Sequence, residues 1–218
     1  MTAPLNRREL STRAQAWPRA VAGALARLGV TPNVVSVFSI AMAAGAAYAY
    51  VVAMVTRGTP ASTWWLVVAT AGIQLRLLCN LLDGLMAVEG GLKTRTGELF
   101  NEIPDRFADI LILLGAGVAV RHIPYGMEFG VAAALLAVLT AYVRLLGGSL
   151  GLPQDFGGPF AKQHRMFALT VGTLAAAIEH ARQGRVELLW VTMIVIVAGT
   201  ALTLALRIVR LARALGAR

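Results

Sequence analysis

Charge is scarce in this chain. Charged residues are 14% of its 218 positions, where soluble domains average about 25%. With 57% hydrophobic residues and a mean hydropathy of +0.69, it has too little polar surface to cover a soluble globule. That leaves the class of polytopic α-helical membrane proteins. Cysteine is nearly absent. Cys79 stands alone, so no intramolecular disulfide is available and the residue reads as packing. No apolar run closely follows the basic N-terminus, so no cleavable signal peptide is expected. Low-complexity segments and short internal repeats are missing. Gly147, Gly148, Gly151, Gly157 and Gly158 fit neither a Walker nor a dinucleotide motif. Histidine is sparse: His164 reads as interfacial, and His122 and His180 fall far from any carboxylate.

The length fits one domain of roughly six spans of about 20 residues. Breaks fall at residues 57–60, 90–91, 121–124, 147–159 and 183–184, where glycine and proline concentrate. They predict spans over 33–56, 61–88, 97–120, 126–148, 164–182 and 187–212. Ahead of them, residues 7–28 spread arginines among Leu, Ala, Val and Trp17. This predicts an interfacial amphipathic helix interrupted by Pro18. Thr31 and Pro32 mark the first span's start as cap and first helical residue. The expected layout is an amphipathic segment over 1–30 and a membrane domain over 31–218. Trp64, Trp65 and Trp190 lie near span ends, as an aromatic belt requires.

The net charge of +9 is spread over helix ends and loops. A basic inner face against anionic lipid accounts for it, and no nucleic-acid partner is expected. Thirteen Lys and Arg residues gather on one predicted side, among them Arg19, Lys162, Arg207 and Arg210. Only Arg57, Arg121, Arg182 and Arg185 lie on the other. Both termini are therefore expected on the cytoplasmic side of a plasma (inner) membrane.

Acid is concentrated. Asp83, Glu89, Glu98, Glu102, Asp105 and Asp109 are six of eleven acidic residues, with apolar chain on both sides. A carboxylate at membrane depth costs several kcal/mol unless paired, metal-bound or wet, so the cluster is a candidate functional site. Helical spacing puts Arg76, Asn80, Asp83 and Ala87 on one face of span two. Glu98, Asn101, Glu102, Asp105 and Asp109 form a stripe on span three. Gly84 leaves room for close approach of a ligand or backbone. Converging oxygen donors of this kind suit hard divalent cations such as Mg²⁺ or Mn²⁺. The structural alternatives are local pairs: Asp109 with Arg106, and Glu89 with Lys93.

These residues resemble the signature of the CDP-alcohol phosphotransferases, D-x2-D-G-x2-A-R-x8-G-x3-D-x3-D. Asp83, Gly84, Ala87, Gly97 and Asp105 match it at the family's spacing. Asn80 and Asn101 stand at the first and third Asp, and Val88 at the Arg. Thr31-Pro32-Asn33 is similar to the segment before the family's first span. Tyr142, Arg144, Lys162 and Arg165 resemble its basic set around the loop between spans four and five. The resemblance implies six helices and a pair of metal ions held by the four Asp positions. Here these are Asp83, Asp105, Asn80 and Asn101, with Glu98, Glu102 and Asp109 as spare acids. It implies that Asp105 is the catalytic base, and that Gly84, Ala87, Gly97, Arg144, Lys162 and Arg165 bind substrate. The implied reaction moves a phosphatidyl or phospho-alcohol group from a CDP-linked lipid to a polar alcohol, phosphorylated or not, and releases CMP. The implied partners are that donor, the acceptor, membrane lipid and a second copy in a homodimer. Arg76, Lys93 and Arg95 are the candidates to replace the guanidinium lost at Val88. A non-catalytic lipid- or nucleotide-binding relative is the first alternative, because two of the four metal positions are Asn. An ion-coupled transporter is the second, but the paired span interruptions of inverted repeats are missing.

Overall fold

A computed structural model describes residues 16–88 and 96–217. Among the described residues there are seven α-helices and no strand. They are α1 (Ala16–Arg27), α2 (Pro32–Val55), α3 (Ala61–Val88), α4 (Gly97–Ala119), α5 (Gly126–Ser149), α6 (Lys162–Gln183) and α7 (Glu187–Gly216). From α2 to α7 the ends lie within two residues of the expected spans, except that α7 runs on to Gly216. The start of α2 is as anticipated: the Thr31 hydroxyl accepts from the Val34 N–H, and Pro32 occupies the first turn.

One expectation needs correction. Pro18 does not interrupt α1. It lies in the first turn, where a missing N–H breaks no helical hydrogen bond, and it is buried. The His180 ring bonds Thr63 Oγ1 at 2.9 Å and the Arg57 carbonyl at 2.8 Å. The expected helix over 7–15 and the Glu89–Lys93 pair lie outside the described residues.

The helices α2 to α7 close into a ring. α2 packs on α3 and α4, α4 on α5, α5 on α7, α7 on α6, and α6 returns to α3. α1 lies against α3, and its Ala22 joins Val35, Cys79, Leu82, Leu85 and Met86 in a small apolar cluster. Small residues set the closest approaches. Ala43, Ala46, Ala49 and Ala53 form the inner stripe of α2. A Cβ added to Gly117 of α4 would lie 2.7 Å from the Gly130 Cα of α5, so these backbones touch. That is the packing used where lipid leaves no hydrophobic drive between helices.

By length and composition α2, α3, α5 and α7 can each cross a membrane. Their outer faces present exposed apolar residues such as Phe38, Val68, Leu135 and Val195. α4 and α6 have similar lengths but carry the acidic and basic residues of the centre. Sequential helices run in opposite directions, so the starts of α2, α4 and α6 meet the ends of α3, α5 and α7 at one end of the bundle.

Candidate active site

That end holds the charged centre. Asn80 and Asp83 lie in the last turns of α3, and Asp105 lies two turns into α4. Asn80 Nδ2 donates to Asp105 Oδ1 at 2.6 Å, which ties the two helices together. Asp83 is buried and accepts from Ser36 Oγ at 2.5 Å. The same hydroxyl lies 3.1 Å from the Pro32 carbonyl. Ser36 has only one proton, and the shorter, charge-assisted bond to Asp83 takes it.

Asp105 is crowded by cations. Lys162 Nζ, from the first turn of α6, donates to its Oδ2. Arg76 Nη2 reaches its Oδ1 at 3.3 Å, and Arg106 Nη2 lies 3.6 Å from Oδ2. One turn deeper, Asp109 is held between Arg76 at 2.7 Å and Arg165 at 3.0 Å. Asp109 therefore does not rely on the local Arg106 pair; two guanidiniums from other helices hold it. Arg76 and Arg165 are almost fully buried. A buried charge is tolerable only when paired and hydrogen-bonded, and Asp109 supplies that pairing to both.

The remaining expected site residues are placed differently. Glu98 and Asn101 are exposed in the first turns of α4. Glu102 is half-buried and pairs with Arg144 at 2.6 Å. Gly84, Ala87 and Gly97 are half-buried around the centre. Lys93 and Arg95 lie outside the described residues. Lys162 and Arg165, expected to hold substrate phosphate, pair with Asp105 and Asp109. Among the described residues no three Asp, Glu, His or Cys side chains converge as a ready metal cluster. Tyr142, counted with the basic set, is exposed on α5.

Arg144 joins this centre to a second feature. Besides Glu102 it donates to Gln154 and stacks over Phe156 with 5.0 Å to the ring centroid. It also lines a cavity of about 230 Å³ with Val143, Leu152, Pro153, Asp155, Arg207 and Arg210. Arg207 is anchored from the side, donating to the Thr140 carbonyl at 2.7 Å and to the Gly157 carbonyl at 3.0 Å. Arg210 pairs with Asp155 at 2.9 Å. Sequence reasoning counted Arg207 and Arg210 only as charges on the inner face. Their spacing of three on an apolar helix is the signal that marks them as one side of a site. Ser36 carried no signal, because its partner is on another helix.

The charged centre sits where α3 and α4 bring motif positions together, and known proteins share the fold that does so. No protein-family model matches the chain. A phosphatidylinositol phosphate synthase of Mycobacteroides abscessus is 29% identical over 158 residues, 71% of this chain and 66% of that protein. The inner membrane protein YnbA of Escherichia coli is 29% identical over 129 residues, 59% of this chain and 62% of its own length. Mycobacterium tuberculosis phosphatidylinositol phosphate synthase PgsA1 with CDP-DAG bound superposes with a TM-score of 0.75 at 20% identity. That match covers 89% of this chain and 92% of the other. The chain is similar in sequence and in fold to phosphatidylinositol phosphate synthases. Its fold is that of PgsA1, which has also been crystallised with manganese and citrate (TM-score 0.74, 21% identity, covering 89% of this chain and 88% of that one). The chain spans 54% to 66% of the length of the curated relatives it matches. Together with four apolar helices, these likenesses make it an integral membrane protein.

Proposed function

We propose that this protein is a membrane phosphotransferase that uses a CDP-linked lipid, most simply CDP-diacylglycerol, and an alcohol acceptor. The observation that carries the reading is the meeting of Asn80 and Asp105 at 2.6 Å, with Asp83 one turn along on the same face of α3. This brings the first, second and fourth positions of the family signature to one place across two helices. The donor fits the relatives' chemistry, since PgsA1 has been crystallised with CDP-DAG.

In this reading the acceptor hydroxyl attacks the β-phosphorus of the donor. A new P–O bond forms, the bond to the bridging oxygen breaks, and CMP leaves with that oxygen. Asp105 takes the hydroxyl proton, which requires it to exchange part of its contact with Lys162 for the acceptor. The arginine-lined cavity beside Arg144, Arg207 and Arg210 receives the acceptor, and its charge favours a phosphorylated polyol. Asp83 and Asp105, with the amide oxygens of Asn80 and Asn101, are donors of the type that Mg²⁺ or Mn²⁺ selects and are the residues that would hold such an ion. A bound ion would neutralise donor phosphate and polarise the attacked phosphoryl group.

The ring of α2 to α7 supports six membrane crossings, with α1 on the surface as the amphipathic segment before the membrane domain. The Lys and Arg bias supports placing the charged end and both termini on the cytoplasmic side. A homodimer follows from the family resemblance alone.

One observation favours a second reading, a relative that binds CDP-lipid without turnover. Asp105 is already occupied by Lys162, Arg76 and the Asn80 amide. CMP release from purified protein in nanodiscs separates the two. The transferase reading expects release that depends on divalent metal and on an alcohol, and that falls at least about a hundredfold in Asp105→Asn. Equal rates for wild type and variant would remove Asp105 from the chemistry. Metal-dependent CDP-lipid binding without CMP would establish the second reading.

A further inference from the structure

One loop answers three arginines. The cavity beside the charged centre is walled by Arg144 of α5 and by Arg207 and Arg210 of α7, and the loop joining α5 to α6 supplies Leu152, Pro153 and Asp155 to it. Gln154 accepts from Arg144, the Gly157 carbonyl from Arg207 at 3.0 Å, and Asp155 Oδ2 from Arg210 at 2.9 Å. Of these three acceptors only Asp155 is charged. Its other oxygen takes the Gly157 N–H at 2.7 Å, so the loop itself orients the carboxylate. The loop is also tied at both ends. Leu152 N–H bonds the Gly147 carbonyl at 3.0 Å, and Phe160 N–H bonds Thr203 Oγ1 at 2.9 Å. A movement of Asp155 therefore leaves the rest of the loop in place.

An anion that enters this cavity finds a carboxylate already on its cation. Arg210 is 47% and Asp155 34% exposed, and ion pairs so open to solvent are weak. Phosphate carries more charge than a carboxylate and fits a guanidinium fork as well, so it can take Arg210 from Asp155. Space points the same way. Ligand pockets run upward from about 300 Å³, and this one is about 230 Å³ with Asp155 in its wall.

We propose that Asp155 is an internal stand-in for the acceptor's phosphate. It occupies Arg210 while the cavity is empty, yields it to a phosphate monoester, and reclaims it when that group leaves. The proposal deepens the phosphotransferase reading and rests on it only in calling that phosphate the acceptor's. A product that keeps the acceptor's phosphate is released by the same exchange run backwards. Asp155 thus weakens phosphate binding and speeds its reversal.

Isothermal titration of inorganic phosphate into the purified protein in phosphatidylcholine nanodiscs reads this without turnover. Asp155→Asn should bind phosphate at least about threefold more tightly than wild type. Asp155→Glu keeps the charge and should stay within about twofold of wild type, which separates charge from shape. Arg210→Gln should weaken binding, and in its background Asp155→Asn should lose most of its gain, because the two compete for one guanidinium. Thermal melts confirm that each variant is folded. Phosphate bound no more tightly by Asp155→Asn than by wild type would overturn the proposal, as would no binding by any variant. Loss of the Asp155→Asn gain in discs containing phosphatidylglycerol would assign the arginines to a lipid headgroup and overturn it too. CMP release is measured on the same samples. Tighter phosphate binding by Asp155→Asn without any CMP release would sustain the exchange and overturn the phosphotransferase reading. CMP release with no gain in Asp155→Asn would do the reverse.

Discussion

Replacing Asp109 with asparagine should unfold this protein more readily without touching its metal affinity. Asp109 is 1% exposed, and its two oxygens meet Arg76 at 2.7 Å and Arg165 at 3.0 Å. The Asp109→Asn amide would keep the shape and lose the charge. Arg76 would still have Asp105 at 3.3 Å, but Arg165 would lose its ion-pair partner. Removing one member of a buried ion pair typically costs about 3–5 kcal/mol, because the other charge is left uncompensated in low dielectric. Arg76 keeps a partner, so the lower end applies, about 3 kcal/mol. At roughly 2–4 °C per kcal/mol for a chain of this size, the melting temperature should fall by on the order of 10 °C. Tryptophan fluorescence during heating in detergent reads this directly. Adding Arg165→Met removes the stranded guanidinium and should recover part of the loss, which a double-mutant cycle measures. A single variant that melts within about 2 °C of wild type would refute the argument that this trio is structural. A large loss of Mn²⁺ affinity with unchanged melting would return Asp109 to the metal site.

Two further outcomes follow from the same geometry. Ser36→Ala strips a charge-assisted hydrogen bond from buried Asp83 and should cost about 1.5–3 kcal/mol, seen as a lower melting temperature; an unchanged melt would mean that Asp83 finds another donor. Arg210→Gln, at a half-exposed position that folding tolerates, should raise KM for a phosphorylated acceptor about tenfold with donor KM unchanged, and equal KM values would move the acceptor out of the cavity.

The helices were legible because punctuation is local. Gly58, Pro60, Pro124 and Gly184 each end or start an element by constraints that need no partner. Face assignments were legible too: the spacing of Arg76, Asn80 and Asp83 put them on one side of α3, and the structure keeps them facing the centre. What sequence could not supply is which residue answers which across the bundle. Lys162 and Arg165 read as cations for phosphate, and nothing in α6 itself reveals that they also pair with Asp105 and Asp109. Glu98 and Asp109 share one stripe on α4 but end up exposed and buried, since depth depends on neighbouring helices and not on angle. Arg207 was visible as a charge, but its role as a cavity wall depends on Thr140 and Gly157 from elsewhere.

The ion pairs between α4 and α6 also bear on how the chain enters a membrane. Neither helix is apolar enough to be taken for a spanning segment by its own composition. One contributes acid and the other base, and Lys162 follows Asp105 by 57 residues. In a six-span arrangement, α4 therefore leaves the ribosome long before its counter-charges are made. Its carboxylates have Arg76 of α3 to lean on in the interval, but they are fully matched only when α6 arrives. With six spans, insertion would then be a two-part event in which the acidic helix is matched in full only once the basic helix has been made.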